Sequence, residues 1–204
     1  MSIAIFGGTG DVGKIIVDKL KSINQTVAVL TRQDNKSIEH LHFKTGNVLD
    51  YNSVESCINA GDQIVISLGF NNSALDTMSR GTKNILDAMK AKKCSRLICL
   101  SAQGAGDSWD YMPDEFKTMV LNDPILKASF HDHGIQEQFV KNSNLEWTIV
   151  RPTEITSEEA KGTYTKNAPT EHSTYQISKF DVAQFIVDEL NENNFIGQVV
   201  MITD

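Results

Sequence analysis

The sequence has 204 residues, of which 40% are hydrophobic and 22% are charged, and its formal net charge is −7. This length and composition are typical of a globular protein with one core, and they exclude a disordered or fibrous chain. The negative charge argues against binding to nucleic acid or an anionic membrane, since both are themselves negative. Because no apolar run of about 18 residues and no signal-peptide core occurs, we expect no membrane association and a cytoplasmic location.

Apolar runs alternate with amphipathic segments along the chain, and this alternation predicts parallel strands joined by helices. The predicted strands are residues 3–6, 26–30, 41–43, 62–68, 96–100, 147–150 and 198–202. The predicted helices are residues 12–20, 53–58, 75–89, 136–142 and 182–190. The expected fold class is α/β, a Rossmann-like doubly wound parallel sheet in a single domain over residues 1–204.

Two longer segments, residues 102–123 and 152–178, interrupt this alternation. The first contains glycines and a proline, and the second is rich in Thr, Ser, Glu and Gly. Both follow predicted strands, so in a parallel sheet both would lie over the carboxyl edge, where ligands bind. We therefore expect them to be substrate-side loops.

The cysteines and histidines do not predict a metal site. Cys57, Cys94 and Cys99 are odd in number and lack the paired spacing of zinc ligands, so we expect buried free thiols. His131 and His133 would point about 200° apart on a helix, and His172 is distant in sequence.

A glycine-rich turn follows the first predicted strand. Gly7 permits a sharp turn, Gly10 lets the backbone approach a pyrophosphate, and Gly13 lets the next helix pack closely on the strand. The helix amino terminus then offers N–H donors and a partial positive charge to phosphate groups. The turn therefore predicts a dinucleotide site, formed by Gly7, Thr9, Gly10, Asp11, Val12 and Gly13.

The end of the second strand predicts which dinucleotide binds. A carboxylate there usually holds the ribose 2′-hydroxyl of NAD, whereas an arginine accommodates the 2′-phosphate of NADP. Here the strand leads into Thr31 and Arg32, and Asp34 lies two residues beyond the arginine. A guanidinium can pair with phosphate in a bidentate manner, so we expect NADP(H) as the cofactor.

Further segments extend this pattern into a family resemblance over nearly the whole chain. They are Ile3 to Gly10, Gly46 to Asp50, Met78 to Ile85, Leu100 to Ala102, Thr148 to Pro152 and Ile177 to Ala183. With them the chain resembles an atypical short-chain dehydrogenase/reductase of the NAD(P)H-binding, NmrA-like family. It is most similar to the flavin reductase/biliverdin reductase B group.

The resemblance implies roles for further residues. Asn47 and Val48 would flank the adenine, and the Ser67-Leu68-Gly69 loop would support the ribose and pyrophosphate. Ser101 would lie beside the nicotinamide as the candidate catalytic residue, a role favoured over that of a hydroxyl that caps the strand end, because chemistry would occur at the carboxyl edge of the sheet. Pro152, after the sixth strand, is the last candidate cofactor residue.

The chain also departs from these relatives. Ordinary short-chain dehydrogenases use a tyrosine and a lysine four residues apart to move a proton, but this chain has His133 and Glu137 in the expected helix. Glu154 replaces a histidine of the flavin reductase group, and its charge would repel an anionic tetrapyrrole such as biliverdin. Tyr164 and Tyr175 could face the acceptor or solvent.

We therefore predict an NADPH-dependent reductase that transfers hydride to a small-molecule acceptor, a flavin or quinone, because such a transfer requires little acid–base help. The expected assembly is a monomer or small homo-oligomer. Two alternatives remain. One is an NmrA-like NADP(H) sensor without turnover. The other is a nucleotide-sugar epimerase or dehydratase, which normally retains the tyrosine and lysine pair and a larger carboxyl-terminal domain.

Overall fold

The computed structural model describes residues 2–71, 74–167 and 173–204. One eight-stranded sheet has the order β3-β2-β1-β4-β5-β6-β10-β8, in which only β8 runs antiparallel to its neighbour. Its strands are β1 (Ile3–Phe6), β2 (Val27–Thr31), β3 (Leu41–Thr45), β4 (Gln63–Ile66), β5 (Arg96–Leu100), β6 (Glu146–Pro152), β8 (Thr165–Lys166) and β10 (Gln198–Thr203). Strands β7 (Glu154–Thr156) and β9 (Gln176–Ser178) form a separate parallel pair.

Six α-helices are formed by the described residues. They are α1 (Asp11–Ser22), α2 (Tyr51–Cys57), α3 (Thr77–Lys92), α4 (Asp114–Asn122), α5 (Pro124–Lys141) and α6 (Lys179–Glu192), and a 3₁₀ helix covers Gly106–Tyr111. None of these helices combines the length and the apolar character that a bilayer span requires.

The two faces of the sheet are covered by different helices. In β1, Ile3 and Ile5 join the cluster under α1 and α6, whereas Ala4 and Phe6 join the cluster under α2, α3 and α5. Successive side chains of a strand point to opposite faces, so a strand buried on both faces is apolar throughout. This burial on both faces explains why the central strands are apolar runs. The doubly wound α/β fold that the sequence predicts is confirmed.

The structure differs from the expected elements mainly around residues 102–123. That segment is not an open loop, because it contains the 3₁₀ helix and α4, which packs on α5. Helix α5 also begins twelve residues earlier than the predicted 136–142 helix, at Pro124. The second segment contains β7, β8 and β9, and its residues 168–172, which include His172, lie outside the described residues.

The three cysteines are buried free thiols, as the sequence predicts. Burial is the main cause that raises the pKa of each, and the pKa of Cys57 reaches about 12. They therefore belong to the packed interior and have little thiolate character.

Candidate functional site

A cleft of about 360 Å³ lies at the carboxyl ends of β1, β2 and β4. Strand β1 lies between β2 and β4. The chain continues from β1 to β2 and β3 on one side and to β4, β5 and β6 on the other, so the strand order reverses at β1. Doubly wound sheets bind nucleotides at this position. Most of the predicted cofactor residues line the cleft: Gly7, Thr9, Gly10, Arg32, Asn47, Val48, Ser67, Leu68 and Gly69. The cleft is also lined by residues that were not among the predicted cofactor residues: Phe6, Leu30, Thr31, Gly46, Leu49, Phe70, Asn71 and Thr77.

The three motif glycines have different surroundings. Gly7 has φ +90°, and a Cβ atom there would lie 2.0 Å from the carbonyl oxygen of Ser67. A Cβ at Gly13 would lie 2.1 Å from the carbonyl oxygen of Gly7, so the start of α1 packs directly on the turn. At Gly10 the nearest protein atom to a Cβ is the Gly7 oxygen at 3.3 Å, and the remaining space faces the cleft. Gly10 therefore leaves room for a ligand, whereas Gly7 and Gly13 allow close backbone contact.

Helix α1 begins at this turn. Gly10 is its N-cap residue, in extended conformation, and no side chain caps the helix. The first-turn N–H groups of Asp11, Val12 and Gly13 precede the first intrahelical bond, from the Lys14 N–H to the Gly10 carbonyl at 2.9 Å. Val12 and Gly13 are buried, and the Asp11 side chain is exposed. An uncapped helix amino terminus at a cleft is suited to a phosphate group.

Arg32 lines the cleft immediately after β2. It is exposed, and no ion pair within the described ranges 2–71, 74–167 and 173–204 involves it. Asp34 does not line the cleft, and its carboxylate accepts a hydrogen bond from the Thr45 hydroxyl at 3.3 Å. The charged side chain that lines the cleft is therefore the guanidinium of Arg32 and not the carboxylate of Asp34. A positive charge at this position is what a 2′-phosphate would require.

The loop after β3 forms the wall beside Arg32. The Asn47 side chain accepts a hydrogen bond from the Leu49 N–H at 3.0 Å, and the Val48 carbonyl accepts one from the Asn84 side chain at 3.0 Å. Gly81 of α3 lies so close to Val48 that a Cβ would be 2.8 Å from its side chain. These contacts hold Asn47 and Val48 in place on the cleft.

Ser101 and Pro152 are the predicted cofactor residues at the ends of β5 and β6, and neither lines this cleft. Ser101 is only 4% exposed, and its hydroxyl donates a hydrogen bond to Oε1 of Glu137 at 2.7 Å. Pro152 is buried, and its carbonyl accepts a hydrogen bond from the Gln103 N–H at 2.9 Å. Ser101 thus follows β5, which adjoins β4 of the cleft, and Pro152 ends β6, one strand further along the sheet.

Glu137 forms a buried ion pair that no sequence motif indicated. Its carboxylate is 1% exposed and accepts bonds from both Nε and Nη2 of Arg151, the Nε bond measuring 2.8 Å. Arg151 also pairs with Asp107. Burial alone would lower the pKa of Arg151, but the hydrogen bonds with these carboxylates outweigh it and raise the pKa. A signal was present, since Arg151 is an arginine within an apolar strand and needs a buried partner.

A second cavity, of about 570 Å³, lies along α5. Its walls include Gly104, Gly106 and Trp109 from the segment after β5, together with Phe130 and Glu137 from α5. The segment expected to face the substrate therefore does form a wall of a cavity, and the Ser101 partner Glu137 faces the same cavity.

The remaining candidate residues lie elsewhere. Glu154 is exposed and accepts a hydrogen bond from Gln176 at 3.0 Å, between β7 and β9. Tyr164 packs edge-on against Phe185 with ring centres 6.1 Å apart, and burial raises its pKa to about 12. Tyr175 is 59% exposed. These positions give Tyr164 a packing role and leave Glu154 and Tyr175 on the surface.

The histidines considered as metal ligands have separate surroundings. His131 is exposed on the wall of the second cavity, whereas His133 contacts Gln136, with 3.1 Å between Nδ1 and Oε1. Across the described ranges no group of three or more His, Cys, Asp or Glu side chains has the arrangement of a metal site.

Known proteins resemble the chain over most of its length. The UPF0659 protein YMR090W of Saccharomyces cerevisiae is 23% identical, over 95% of this chain and 88% of that protein. ChuY from Escherichia coli O157:H7, described as an anaerobillin reductase, is 19% identical with a TM-score of 0.84, over 99% of this chain and 96% of that one. A wide-type short-chain dehydrogenase/reductase from Veillonella parvula, in complex with NADP, is 18% identical with a TM-score of 0.81, over 100% and 94%.

The two solved structures confirm the fold. The sequence pattern of the NAD(P)H-binding family matches residues 7–193, from the first motif glycine to the end of α6. That match covers most of the chain and includes the glycine turn, Arg32 and the Ser67 loop. The chain belongs to the NAD(P)H-binding family.

Proposed function

We propose that this protein is an NADPH-dependent reductase whose acceptor is a flavin or a quinone. Membership of the NAD(P)H-binding family supports the cofactor, and the cleft supports its placement on the glycine turn. We propose NADP(H) over NAD(H), because Arg32 is the charged side chain at the end of β2 while Asp34 is bonded to Thr45. The V. parvula neighbour, solved with NADP, agrees with this preference.

The chain's own residues would hold the cofactor at three points. The amino terminus of α1 would bind the pyrophosphate, Arg32 would bind the 2′-phosphate, and Asn47 and Val48 would flank the adenine. When bound, the reduced nicotinamide supplies the hydride. Ser101 would lie beside it at the end of β5, as the family resemblance implies.

The observation that carries the reductase proposal is the hydrogen bond that the Ser101 hydroxyl donates to Glu137. Because its proton is used in this bond, the Ser101 hydroxyl is not free to act as a proton donor. Helix α5 has His133 and Glu137 in place of a tyrosine and lysine pair, so a phenol with a lowered pKa is absent from that helix. The chain is therefore poorly suited to reactions that need a strong general acid. Flavin and quinone reduction depend mainly on how the nicotinamide and the acceptor are positioned against each other. The E. coli neighbour, described as an anaerobillin reductase, is consistent with a reductase.

A redox sensor that binds NADP(H) without turnover is the second candidate. The low exposure of Ser101, 4%, favours it, because a residue that contacts both nicotinamide and acceptor should be accessible. The two candidates share the cofactor cleft and differ only in turnover.

The test is an acceptor panel with the purified protein. Riboflavin, FMN and a naphthoquinone would be supplied with NADPH, and the loss of NADPH absorbance would be followed against a Gly10→Val control, which is expected not to bind the cofactor. We expect oxidation of NADPH that depends on Gly10 with at least one acceptor. Clear NADPH binding with no oxidation by any acceptor would favour the sensor.

A further inference from the structure

The second cavity, along α5, is larger than the cofactor cleft, with about 570 Å³ against about 360 Å³. Among the described residues, none that lines this cavity also lines the cleft. An open cavity of this volume, with apolar walls and a few polar groups, is the usual form of a small-molecule site. The cavity therefore has the size of a ligand site that is separate from the cofactor cleft.

The apolar part of this cavity is built around aromatic rings. Trp109 and Phe130 line it, and the ring of Phe116 contacts both, with ring centres 6.4 Å from Trp109 and 5.4 Å from Phe130. Gly104 lies so close to these rings that a Cβ would be 3.0 Å from Phe116 and 3.1 Å from Phe130. Trp109 and Phe130 are only half-buried, so part of each ring is open to the cavity. Aromatic rings pack well on one another, so these walls favour a ligand that contains a ring.

Most charged groups of the cavity are neutralised by one another. Lys141 lies 3.6 Å from Asp107 and 3.5 Å from Glu137. Both carboxylates also pair with the buried Arg151. Two cations and two carboxylates together have no net charge, so this cluster gives the cavity no preference for the charge of a ligand.

Lys127 and His131 are the basic side chains left on the α5 wall. Both are exposed, and within the ranges 2–71, 74–167 and 173–204 neither takes part in an ion pair. They are four residues apart on one helix, so they lie on the same face. Asp110 is the acid left on the wall of the 3₁₀ helix, and the Lys117 ammonium donates a hydrogen bond to its carbonyl at 3.1 Å. The donors and positive charges around the open cavity thus outnumber its one remaining carboxylate.

We propose that the second cavity binds a small aromatic carboxylate at a site separate from the cofactor cleft. The ring contacts Trp109 and Phe130, and the carboxylate accepts hydrogen bonds from the Lys127 ammonium and a ring N–H of His131. A carboxylate only accepts hydrogen bonds, so it matches these two donors. This inference goes beyond the proposed reductase function and does not depend on it, because binding here requires neither the cofactor nor a reaction.

The chain contains its own reporter of this site. Trp109 is one of two tryptophans, and the other, Trp147, lies in β6 and does not line the cavity. In a Trp147→Phe background, contact quenching of the fluorescence by a nitroaromatic compound therefore reports on Trp109. The probes are 4-nitrobenzoate, 4-nitrobenzamide and 4-nitrobenzylammonium, which share a ring and differ in charge. Saturating NADP⁺ is present throughout, so that Arg32 in the cofactor cleft does not bind the carboxylate.

We expect 4-nitrobenzoate to quench Trp109 and to bind about 3- to 10-fold more tightly than 4-nitrobenzamide, with the ammonium compound the weakest. Lys127→Met should remove the difference between carboxylate and amide, because it keeps the apolar stem and removes the charge. Lys90→Met is the matched control. Lys90 is likewise exposed on a helix, α3, and takes part in none of the ion pairs of the described residues. This control should preserve the order of the three probes.

Each of three results would overturn the assignment. Absence of quenching by all three probes would show that no aromatic site exists beside Trp109. Tightest binding of the ammonium compound would assign the charge preference to Asp110 and exclude a carboxylate site. A carboxylate preference that persists in Lys127→Met would place the anion elsewhere. Should Trp147→Phe fail to fold, calorimetric titration of the wild type, Lys127→Met and Lys90→Met with the same probes makes the same comparison.

Discussion

Arg32 is the residue on which the choice between two cofactors depends. It lines the cleft after β2, and the nearby carboxylate of Asp34 is bonded to Thr45. Arg32→Ala should weaken NADPH binding by about 1.5–3 kcal/mol, the usual contribution of a hydrogen bond to a charged group, and leave NADH binding nearly unchanged. Calorimetric titration of both cofactors measures this. Arg80→Ala, an exposed arginine outside the cleft, should change neither affinity, and equal losses for the two cofactors in Arg32→Ala would contradict the assignment.

Gly10 is required for ligand binding, whereas Gly7 is required for the fold. A side chain at Gly10 meets little of the protein, so Gly10→Val should fold, as shown by circular dichroism, and lose binding of both cofactors. Gly7→Ala should instead lower the free energy of unfolding by about 2 kcal/mol or more, because φ is +90° and the new Cβ would overlap the Ser67 carbonyl. Normal NADPH affinity in a folded Gly10→Val protein would move the phosphate site elsewhere.

At the scale of elements, the sequence predicts strands better than the helices around the site. The sequence predicts β1 and β5 with the same bounds as the structure, because strands buried on both faces are short apolar runs. The first twelve residues of α5 were missed although Asp123 accepts hydrogen bonds from Ile125 and Leu126 as the N-cap and Pro124 follows it, a recognisable helix start. Strands β7 and β9 have three residues each, too few to show a periodicity.

Helices α3 and α5 are joined by polar contacts that no periodicity predicts. Asp132 accepts hydrogen bonds from the N–H groups of Met78 and Ser79, and Gln136 donates to the Thr82 hydroxyl at 3.0 Å. These partners are more than fifty residues apart in sequence. Such pairs become visible only once the helices are placed side by side on the sheet.

His133 lies among these contacts, and its titration should affect stability. Burial lowers the pKa of His133, and its hydrogen bond with Gln136 and the nearby Glu137 and Asp132 only partly oppose this. In the unfolded chain a histidine has a pKa of about 6.5, so below that value the unfolded state binds more protons and stability falls. Between about pH 7 and 5, His133→Gln should therefore lose less free energy of unfolding than the wild type. Urea unfolding at several pH values measures this, and identical pH dependences in the two proteins would contradict it.

At the scale of the whole molecule, the fold class followed from the order of apolar and amphipathic segments, and the cofactor cleft followed from the glycine turn and Arg32. Phe70 and Asn71 could not be assigned to the cleft from the sequence, because they follow β4 in a segment with no glycine motif or apolar period. The Ser101 contact with Glu137 was equally hidden, since it joins residues 36 positions apart. Local sequence motifs thus predict where the cleft lies. Contacts between residues distant in sequence, such as that of Ser101 with Glu137, can be read only from the structure.

The net charge of −7 means that the whole protein repels anions, so a tetra-anionic cofactor must be held by local groups. Those groups are the amino terminus of α1 and the guanidinium of Arg32. The most direct test of the account is a calorimetric titration of the wild-type protein with NADPH and with NADH. We predict one site per chain and NADPH binding about 10- to 100-fold tighter than NADH binding. Equal affinities, or no binding of either dinucleotide, would contradict it.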